Sequence, residues 1–203
     1  MKIIHLVMQK KGFTLIESII VISISTLAML AIASSVLFFY RTNANAIEQA
    51  LALSSARKGV EYMVRDVREA TYSEEGSYPI ISMSDTELYF YSDTDRDNAV
   101  ERIHYYLNGT VLVRETVNPT GTPLTYVDGT GEVTVVSEDV RNGEDDVPML
   151  EYYDATGTEI LDYTRVSDVA IVGVTVIVNI NPTRLPEEFT LRSTASLRNV
   201  RSN

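Results

Sequence analysis

The longest apolar run of the chain lies near its N-terminus. The 23 residues from Ser18 to Tyr40 carry no charge, and Glu17 and Arg41 bound them. A helix of that length rises about 35 Å, which exceeds the roughly 30 Å hydrocarbon core of a bilayer. The run therefore predicts a membrane-spanning helix over residues 13–41. Its anchoring side chains include Ser18, Leu27, Leu30, Phe38 and Phe39.

The residues that flank the apolar run predict its orientation. Lys2, Lys10 and Lys11 precede the run, and basic residues close to a span stay on the cytoplasmic side. The run is longer than the apolar core of about 7 to 15 residues of a secretory signal, and no small-residue cleavage site closes it. We therefore expect a retained anchor in the cytoplasmic membrane, with the N-terminus inside and the rest of the chain outside.

Residues 42–72 continue the helical pattern with a single apolar stripe. Positions three and four apart along this segment are apolar, namely Ile47, Leu51, Val60, Met63, Val64 and Val67. The pattern predicts one continuous helix from about Phe13 to about Thr71. We expect the stripe to pack under a C-terminal sheet, with part of it available to neighbouring subunits. Gly59 costs about 1 kcal/mol relative to alanine inside a helix, so it marks either a close contact or nothing.

Residues 74–79 end the helix, and beyond them apolar residues recur with the period of two that is typical of strands. The pattern predicts strands at residues 87–91, 100–107, 110–116, 124–127, 132–136, 150–153, 158–161, 169–178 and 189–198. The strand at 169–178 is apolar on both faces, so we expect it to be central. The polar stretch 137–148 predicts a surface loop. A long helix followed by antiparallel strands over residues 73–203 predicts an α+β fold.

The sequence also predicts two hairpins. Asn108-Gly109 is the residue pair favoured in a type I′ turn, and it joins the strands at 100–107 and 110–116. This register places Arg102 opposite Glu115, and His104, on the strand surface, opposite Val113. The second hairpin joins residues 150–153 to 158–161.

Residues 10–18 read Lys-Lys-Gly-Phe-Thr-Leu-Ile-Glu-Ser, which places one acid at the start of the apolar helix. An acid near the centre of a bilayer costs roughly 2.5–3.5 kcal/mol. Glu17 therefore either needs a partner or lies at the headgroup level, where the helix dipole favours it. The nine residues resemble the class III signal of type IV prepilins and pseudopilins.

The resemblance implies a role for three residues. Residues 1–12 would be a leader, which prepilin peptidase removes by cutting after Gly12 on the cytoplasmic side. The new amino terminus, at Phe13, would be methylated. Glu17 would pair with the terminal amine of a neighbouring subunit during fibre assembly, which is consistent with the strong attraction of opposite charges at low dielectric constant. The chain departs from many pilins at Ser34-Ser35, where they carry a helix-kinking proline.

Two later stretches extend the resemblance. The acidic turn at 93–97 with the strand after it, and the closing residues 194–199, are similar to the W/J-type minor pilins and pseudopilins. Those proteins are subunits of pili, type II secretion systems or DNA-uptake systems. The resemblance implies that other pilin-like subunits are partners of this chain, through its N-terminal helix.

The composition of the chain argues against several classes of function. The chain of 203 residues has 28 acidic and 17 basic residues, and loss of the three leader lysines leaves 14 basic residues and a net charge of −14. A chain this acidic disfavours nucleic-acid binding. It has no cysteine, which excludes thiol nucleophiles and thiolate metal sites. His104 is the only histidine after the leader, so we expect no enzyme.

The acidic turn carries a candidate cation site. Asp93, Asp95 and Asp97 alternate as in the first half of a calcium loop, where hard oxygen ligands suit Ca²⁺. The match ends early, because Asn98 stands where the loop glycine belongs and His104 occupies the twelfth position. A solvated acidic turn is the alternative to a calcium site. No other cofactor is expected.

The sequence thus favours a structural protein. We expect a minor pilin or pseudopilin that prepilin peptidase processes and that is then assembled from the membrane into a type IV pilus or a pseudopilus of type II secretion or competence. The alternative is a cell-surface binding module with an uncleaved signal anchor and an acidic β domain, in which the acidic turn holds calcium.

Overall fold

The computed structural model describes residues 12–179 and 188–198. The chain divides into two compact units, Met1–Ile47 and Glu48–Asn203. One helix, α1 (Leu15–Arg68), contributes to both units without a break. It confirms the continuous helix predicted from the sequence, with ends a few residues inside the expected bounds.

In the first unit, α1 exposes its apolar side chains. All five predicted anchoring residues are exposed, from Ser18 to Phe39. The helix is long enough to cross a membrane, and its most apolar 18-residue window has a mean hydropathy of 2.3. The hydroxyl groups of Ser23, Thr26 and Ser35 donate to carbonyl oxygens one turn earlier in the helix, at 2.8–2.9 Å. These polar groups are therefore satisfied without water, as a lipid environment requires.

The second unit contains two antiparallel sheets. The first is a meander of five strands in the order β1-β2-β3-β4-β5, namely Ile80–Met83, Glu87–Ser92, Glu101–Asn108, Val111–Val117 and Glu132–Ser137. The second has the order β6-β7-β8, namely Leu150–Tyr153, Ile171–Val178 and Phe189–Ser196. The chain is therefore an α+β protein, and β7 is the central strand that its two apolar faces predict.

The buried stripe of α1 joins both sheets in one core. Ala56, Val60, Met63, Val64 and Val67 are buried in a single apolar cluster with residues of every strand from β1 to β4 and from β6 to β8. Two members of the predicted stripe do not take part, because Ile47 and Leu51 are 53% and 66% exposed. The stripe thus packs under the sheets only from Ala56 onward.

The predicted register of the first hairpin is wrong by two residues. Arg102 pairs with Val117, and His104 pairs with Glu115. The reason lies in the turn: Asn108 is the last residue of β3 and pairs with Val111, so Gly109 and Thr110 form the loop. Gly109 has φ +61°, whereas Asn108 lacks the positive φ that a type I′ turn centred on Asn108-Gly109 needs.

Three other strand and loop predictions need correction. Residues 124–127 form no strand, and only a single bridge joins Thr120 to Thr125. The second hairpin has one true strand, β6, because its return segment makes only the bridge between Tyr153 and Glu159. Strand β1 was not predicted from the sequence, since its residues, Ile80–Met83, show no clear alternation.

The predicted surface loop at 137–148 also has a structural role. Val140 and Asn142 are buried, and Val140 bridges to Val178 of β7. The Val140 amide donates to the Thr110 carbonyl at 2.9 Å, and the Asn142 side chain accepts from the Ile177 amide at 2.8 Å. This segment therefore connects the two sheets, which its polar composition alone does not indicate.

Gly59 lies against β5, which suggests a test of the packing between α1 and this strand. A Cβ atom added at Gly59 would lie 2.8 Å from Val136 Cγ1 and 3.3 Å from the Val136 carbonyl oxygen. We expect Gly59→Ala to lower the free energy of unfolding by up to about 2 kcal/mol, because an overpacking cost of about 1–3 kcal/mol outweighs the gain of about 1 kcal/mol in helix propensity. Thermal unfolding of the detergent-solubilised protein measures this.

The matched control for Gly59→Ala is Ser54→Ala, at an exposed position of the same helix. It should leave stability unchanged or raise it slightly. A Gly59→Ala variant more stable than the parent would show that α1 and β5 are less closely packed than described.

Candidate functional site

The predicted processing site lies at the start of α1. Gly12 and Phe13 precede the first helical residue, Leu15, and both are exposed. Apart from its chain neighbours, no atom of the described residues lies within 4 Å of the position where Gly12 would carry a Cβ. The peptide bond between Gly12 and Phe13 therefore lies outside the helix, in a segment without regular secondary structure that a protease can bind.

Thr14 and Glu17 form a capping box at the same end of the helix. Glu17 Oε2 accepts from the Thr14 amide and from Thr14 Oγ1, each at 2.9 Å, and the Glu17 amide donates to Thr14 Oγ1 at 3.3 Å. The two residues satisfy helix N-terminal groups that otherwise have no partner. The Thr-x-x-Glu spacing is a sequence pattern of this motif, so the spacing of residues 14 and 17 already indicates the cap.

The capping box bears on both interpretations of Glu17. It places the acid in the first turn of α1, which the helix dipole favours. Among the described residues, the hydrogen bonds to its carboxylate use Oε2, and the side chain is exposed. Glu17 can thus cap its own helix and still offer one carboxylate oxygen to a cation.

A second candidate site is the acidic turn between β2 and β3. Asp93, Asp95 and Asp97, the predicted ligands, are brought together with Glu101, and one oxygen from each lies within 4.8 Å of the others. Oxygen atoms on opposite sides of a calcium ion are about 5 Å apart, since each lies at 2.3–2.6 Å. The donor set therefore suits Ca²⁺ in chemistry and spacing.

Glu101 is the member of this group that the sequence analysis missed. It occupies the ninth position of a loop that begins at Asp93, and that position supplies a ligand in calcium loops. Glu101 is only 2% exposed, and its Oε2 accepts from the Thr94 amide at 2.7 Å. Burial, with a smaller effect of the charges on Asp95 and Asp93, raises the pKa of its carboxyl group above the ordinary value.

The backbone of the turn shows that Asn98 can take the place of the glycine of a calcium loop. Asn98 stands in place of the loop glycine, and it adopts φ +72°, a left-handed conformation that asparagine tolerates better than most residues. The turn is nevertheless stable without an ion, because Asp93 accepts from the Arg96 amide and Asp97 from the Ala99 amide, both at 2.7 Å. A solvated acidic turn therefore explains the same geometry.

A partly buried ion pair connects this turn to α1. Asp66, fully buried in the helix, accepts from Arg114 Nε at 2.9 Å and from the Tyr105 hydroxyl at 2.8 Å. Arg114 also donates to Thr94 Oγ1 at 3.2 Å, and Thr94 in turn binds Glu101. Burial raises the pKa of Tyr105 well above its ordinary value, so its hydroxyl group stays protonated and remains a donor.

His104 has a structural environment on the outer face of the first sheet. Its ring lies 4.7 Å, between centroids, from both Tyr89 and Tyr106. Its nitrogen atoms lie 3.4 Å from Glu87 and 3.9 Å from Glu115. The ring therefore packs among aromatic and acidic side chains of the strand surface, in line with the sequence-based prediction.

Comparison with known proteins identifies the N-terminal segment. The prokaryotic N-terminal methylation motif matches residues 7–33, which include Gly12, Phe13, Glu17 and residues 18–33 of the apolar run. No curated protein matches the chain. The motif, on a long apolar helix that packs against antiparallel sheets, supports a type IV prepilin-like protein.

Proposed function

We propose that the chain is a structural subunit, a minor pilin or pseudopilin, which is assembled into a type IV pilus or into a pseudopilus of a secretion or competence system. The methylation motif at residues 7–33 carries the proposal. The exposed Gly12–Phe13 bond next to α1 supports it, because prepilin peptidase could reach that bond without unwinding the helix.

The proposed precursor is anchored in the cytoplasmic membrane by residues 13–41. Lys2, Lys10 and Lys11 keep its N-terminus in the cytoplasm, and residues 73–203 lie outside. Cleavage after Gly12 then creates the amino terminus of Phe13, which is methylated. Residues 42–72 extend the helix into the outer domain, and the partners are prepilin peptidase, the membrane and other pilin-like subunits, with no nucleic acid.

Glu17 provides the proposed assembly chemistry. Its carboxylate lies at the start of an apolar helix, where an unpaired charge is costly. The terminal ammonium group of Phe13 in a neighbouring subunit supplies the opposite charge. Because the capping box uses only Oε2, this pairing does not require the helix to lose its cap.

The alternative is a cell-surface binding module with an uncleaved signal anchor. The observation that favours it is the acidic turn, where Asp93, Asp95, Asp97 and the buried Glu101 converge. In this case the turn would hold Ca²⁺ and the β domain would recognise a ligand. The two functions differ at the N-terminus, because only the fibre subunit loses residues 1–12.

The state of the N-terminus is the direct test of the proposal. Mass spectrometry of the protein from cells with prepilin peptidase should give a chain that begins at Phe13 and carries one methyl group on its amine. Cells that lack the peptidase provide the control, and there the intact precursor should accumulate. An intact precursor in both strains would refute processing and favour the signal-anchored module.

The charge of Glu17 can be separated from its capping role. Glu17→Gln keeps an oxygen that can accept the capping bonds, whereas Glu17→Ala removes the cap as well. We expect both variants to be processed at a normal rate. Both should be absent from the sheared-fibre fraction, because neither offers a carboxylate to the neighbouring amine. Immunoblots of the fibre and membrane fractions measure this. Normal incorporation of Glu17→Gln would assign the residue to capping alone.

Calcium binding at the acidic turn is tested by calorimetric titration of the detergent-solubilised protein with CaCl₂. If the turn is a site, heat is released and the melting temperature rises, and Asp95→Asn abolishes both. Affinity should fall as pH decreases through the raised pKa of Glu101, since its carboxylate must be ionised to bind. Asp154→Asn, in another turn, is the control. Absence of heat would show that residues 93–97 form a solvated acidic turn that does not bind calcium.

A further inference from the structure

Two of the open clefts along the second-unit part of α1 carry opposite charge. The first, of about 460 Å³, is lined by Glu61, Arg65 and Arg68 of the helix and by Arg198, Ser193 and Ser196 at β8. The second, of about 360 Å³, is lined by Glu48, Leu51, Ala52 and Ser55 of the helix and by Glu138 and Asp139 after β5. We refer to them as the basic cleft and the acidic cleft.

The basic cleft keeps its positive charge although the chain is strongly acidic. Arg198 is exposed and makes no ion pair within the part of the chain that the structure describes. Among the described residues, Arg68 donates to a neutral group, the Thr194 carbonyl, at 3.2 Å, and to no carboxylate. Glu69 also lines the cleft, but Arg96 pairs with it at 2.9 Å. Glu61 is thus the one acid of the cleft for which no ion pair is described.

Arg65 is also available in part. It lies 3.3 Å from Asp66 Oδ1, but its side chain is 50% exposed. Asp66 already has a closer cation, because Arg114 Nε lies 2.9 Å from its other oxygen. The guanidinium group of Arg65 can therefore turn toward an incoming carboxylate without leaving Asp66 unpaired.

The acidic cleft has the complementary chemistry. No basic side chain lines it, and neither Glu48 nor Glu138 has an ion-pair partner among residues 12–179 and 188–198. Its lining includes Leu51, which is 66% exposed and lies outside the core. Complementary charge across an interface favours the correct partner, and these carboxylates are available to a cationic one.

The spacing of the clefts defines how two copies could meet. Glu48 and Arg65 are 17 residues apart on one helix, which is about 25 Å along its axis. A second copy, parallel to the first and displaced by that distance, brings its acidic cleft to the basic cleft of the first. Different surfaces then meet in a head-to-tail contact, and such a contact repeats without closing into a dimer.

We propose that the basic cleft of one copy binds the acidic cleft of the next copy of this chain, as a longitudinal contact of the fibre. The inference rests on the proposed function, which it deepens by naming the subunit surfaces and the partner. The parallel displacement leaves all the apolar helices pointing the same way, as anchors in one membrane must. It also explains why basic residues collect at the end of α1, whereas residues 69–203 have 24 acidic residues and only 9 basic ones.

Disulfide cross-linking in cells tests the contact, and the chain has no cysteine of its own to interfere. Two differently tagged full-length copies are expressed together, one with Ser196→Cys in the basic cleft and one with Ala52→Cys in the acidic cleft. Oxidation should join the two tags. Ser167→Cys, at an exposed position that lines neither cleft, replaces Ala52→Cys in the control pair and should give no cross-link.

Charge reversal provides the specificity test. Arg68→Glu with Arg198→Glu in the first copy should abolish the cross-link, and Glu48→Arg with Glu138→Arg in the second copy should restore it. Restoration also shows that the reversed variants fold. Absence of the cross-link in processed protein, a cross-link only to a different subunit, or failure of the compensating reversal would each overturn the proposal.

Two further measurements separate this inference from other outcomes. Mass spectrometry of the same cells reports the N-terminus, so an unprocessed chain refutes the proposed function, whereas a processed chain that does not cross-link refutes only the cleft contact. Titration of a fluorescent DNA duplex with the detergent-solubilised protein, followed by anisotropy, tests whether the basic cleft binds nucleic acid instead. Binding to DNA that Arg68→Glu with Arg198→Glu abolishes would overturn the protein contact in favour of nucleic acid.

Discussion

The exposed apolar surface of the first half of α1 is the constraint on which the rest of the chain depends. Water disfavours such a surface by about 25 cal/mol per Å² of apolar area. The helix satisfies its own backbone, and the hydroxyl groups of Ser23, Thr26 and Ser35 bond to its carbonyl oxygens. Lipid and a bundle of similar helices are therefore both acceptable surroundings, and the segment can pass from one to the other without a change of secondary structure.

The N-terminal end of α1 also suits a transfer from lipid to a bundle of helices. Thr14 and Glu17, which form the capping box, both lie on the C-terminal side of the proposed cut, so loss of residues 1–12 leaves the box intact. A helix that depended on leader residues for its first turn would fray when they were removed. The cap therefore allows processing and helix stability to be independent, while the second carboxylate oxygen of Glu17 stays available to a cation.

The sequence allowed prediction of the elements whose pattern is long or repeated. The span, the apolar stripe from Val60 to Val67 and the central strand β7 follow from periodicity, because burial acts on many residues at once. The hairpin register could not be read in the same way. It depends on whether Asn108 closes the strand or enters the turn, a choice of one backbone conformation that the residue pair Asn108-Gly109 does not determine.

Polar contacts between residues that are distant in the sequence could not be predicted either. The processing residues are contiguous, so a local motif describes them, and three of the four clustered acids alternate along one turn. Glu101 joins them only because β3 turns its side chain inward. The buried Val140 and Asn142 are similar cases, since the composition of a polar loop does not indicate which strands it contacts. Tertiary structure decides these positions, and local composition does not.

The two ion pairs at the end of α1 connect the remaining features. Asp66 binds Arg114, which reaches the acidic turn through Thr94, and Glu69 binds Arg96 of the turn itself. Neither the partly buried pair nor the exposed one adds much net stability, but each links the turn to the helix. The turn is thus held against the helix as well as the sheet in a chain without disulfides. Because Arg96 neutralises Glu69, the acidic turn also keeps the adjacent cleft basic, so the charge pattern of one surface depends on the fold of the other.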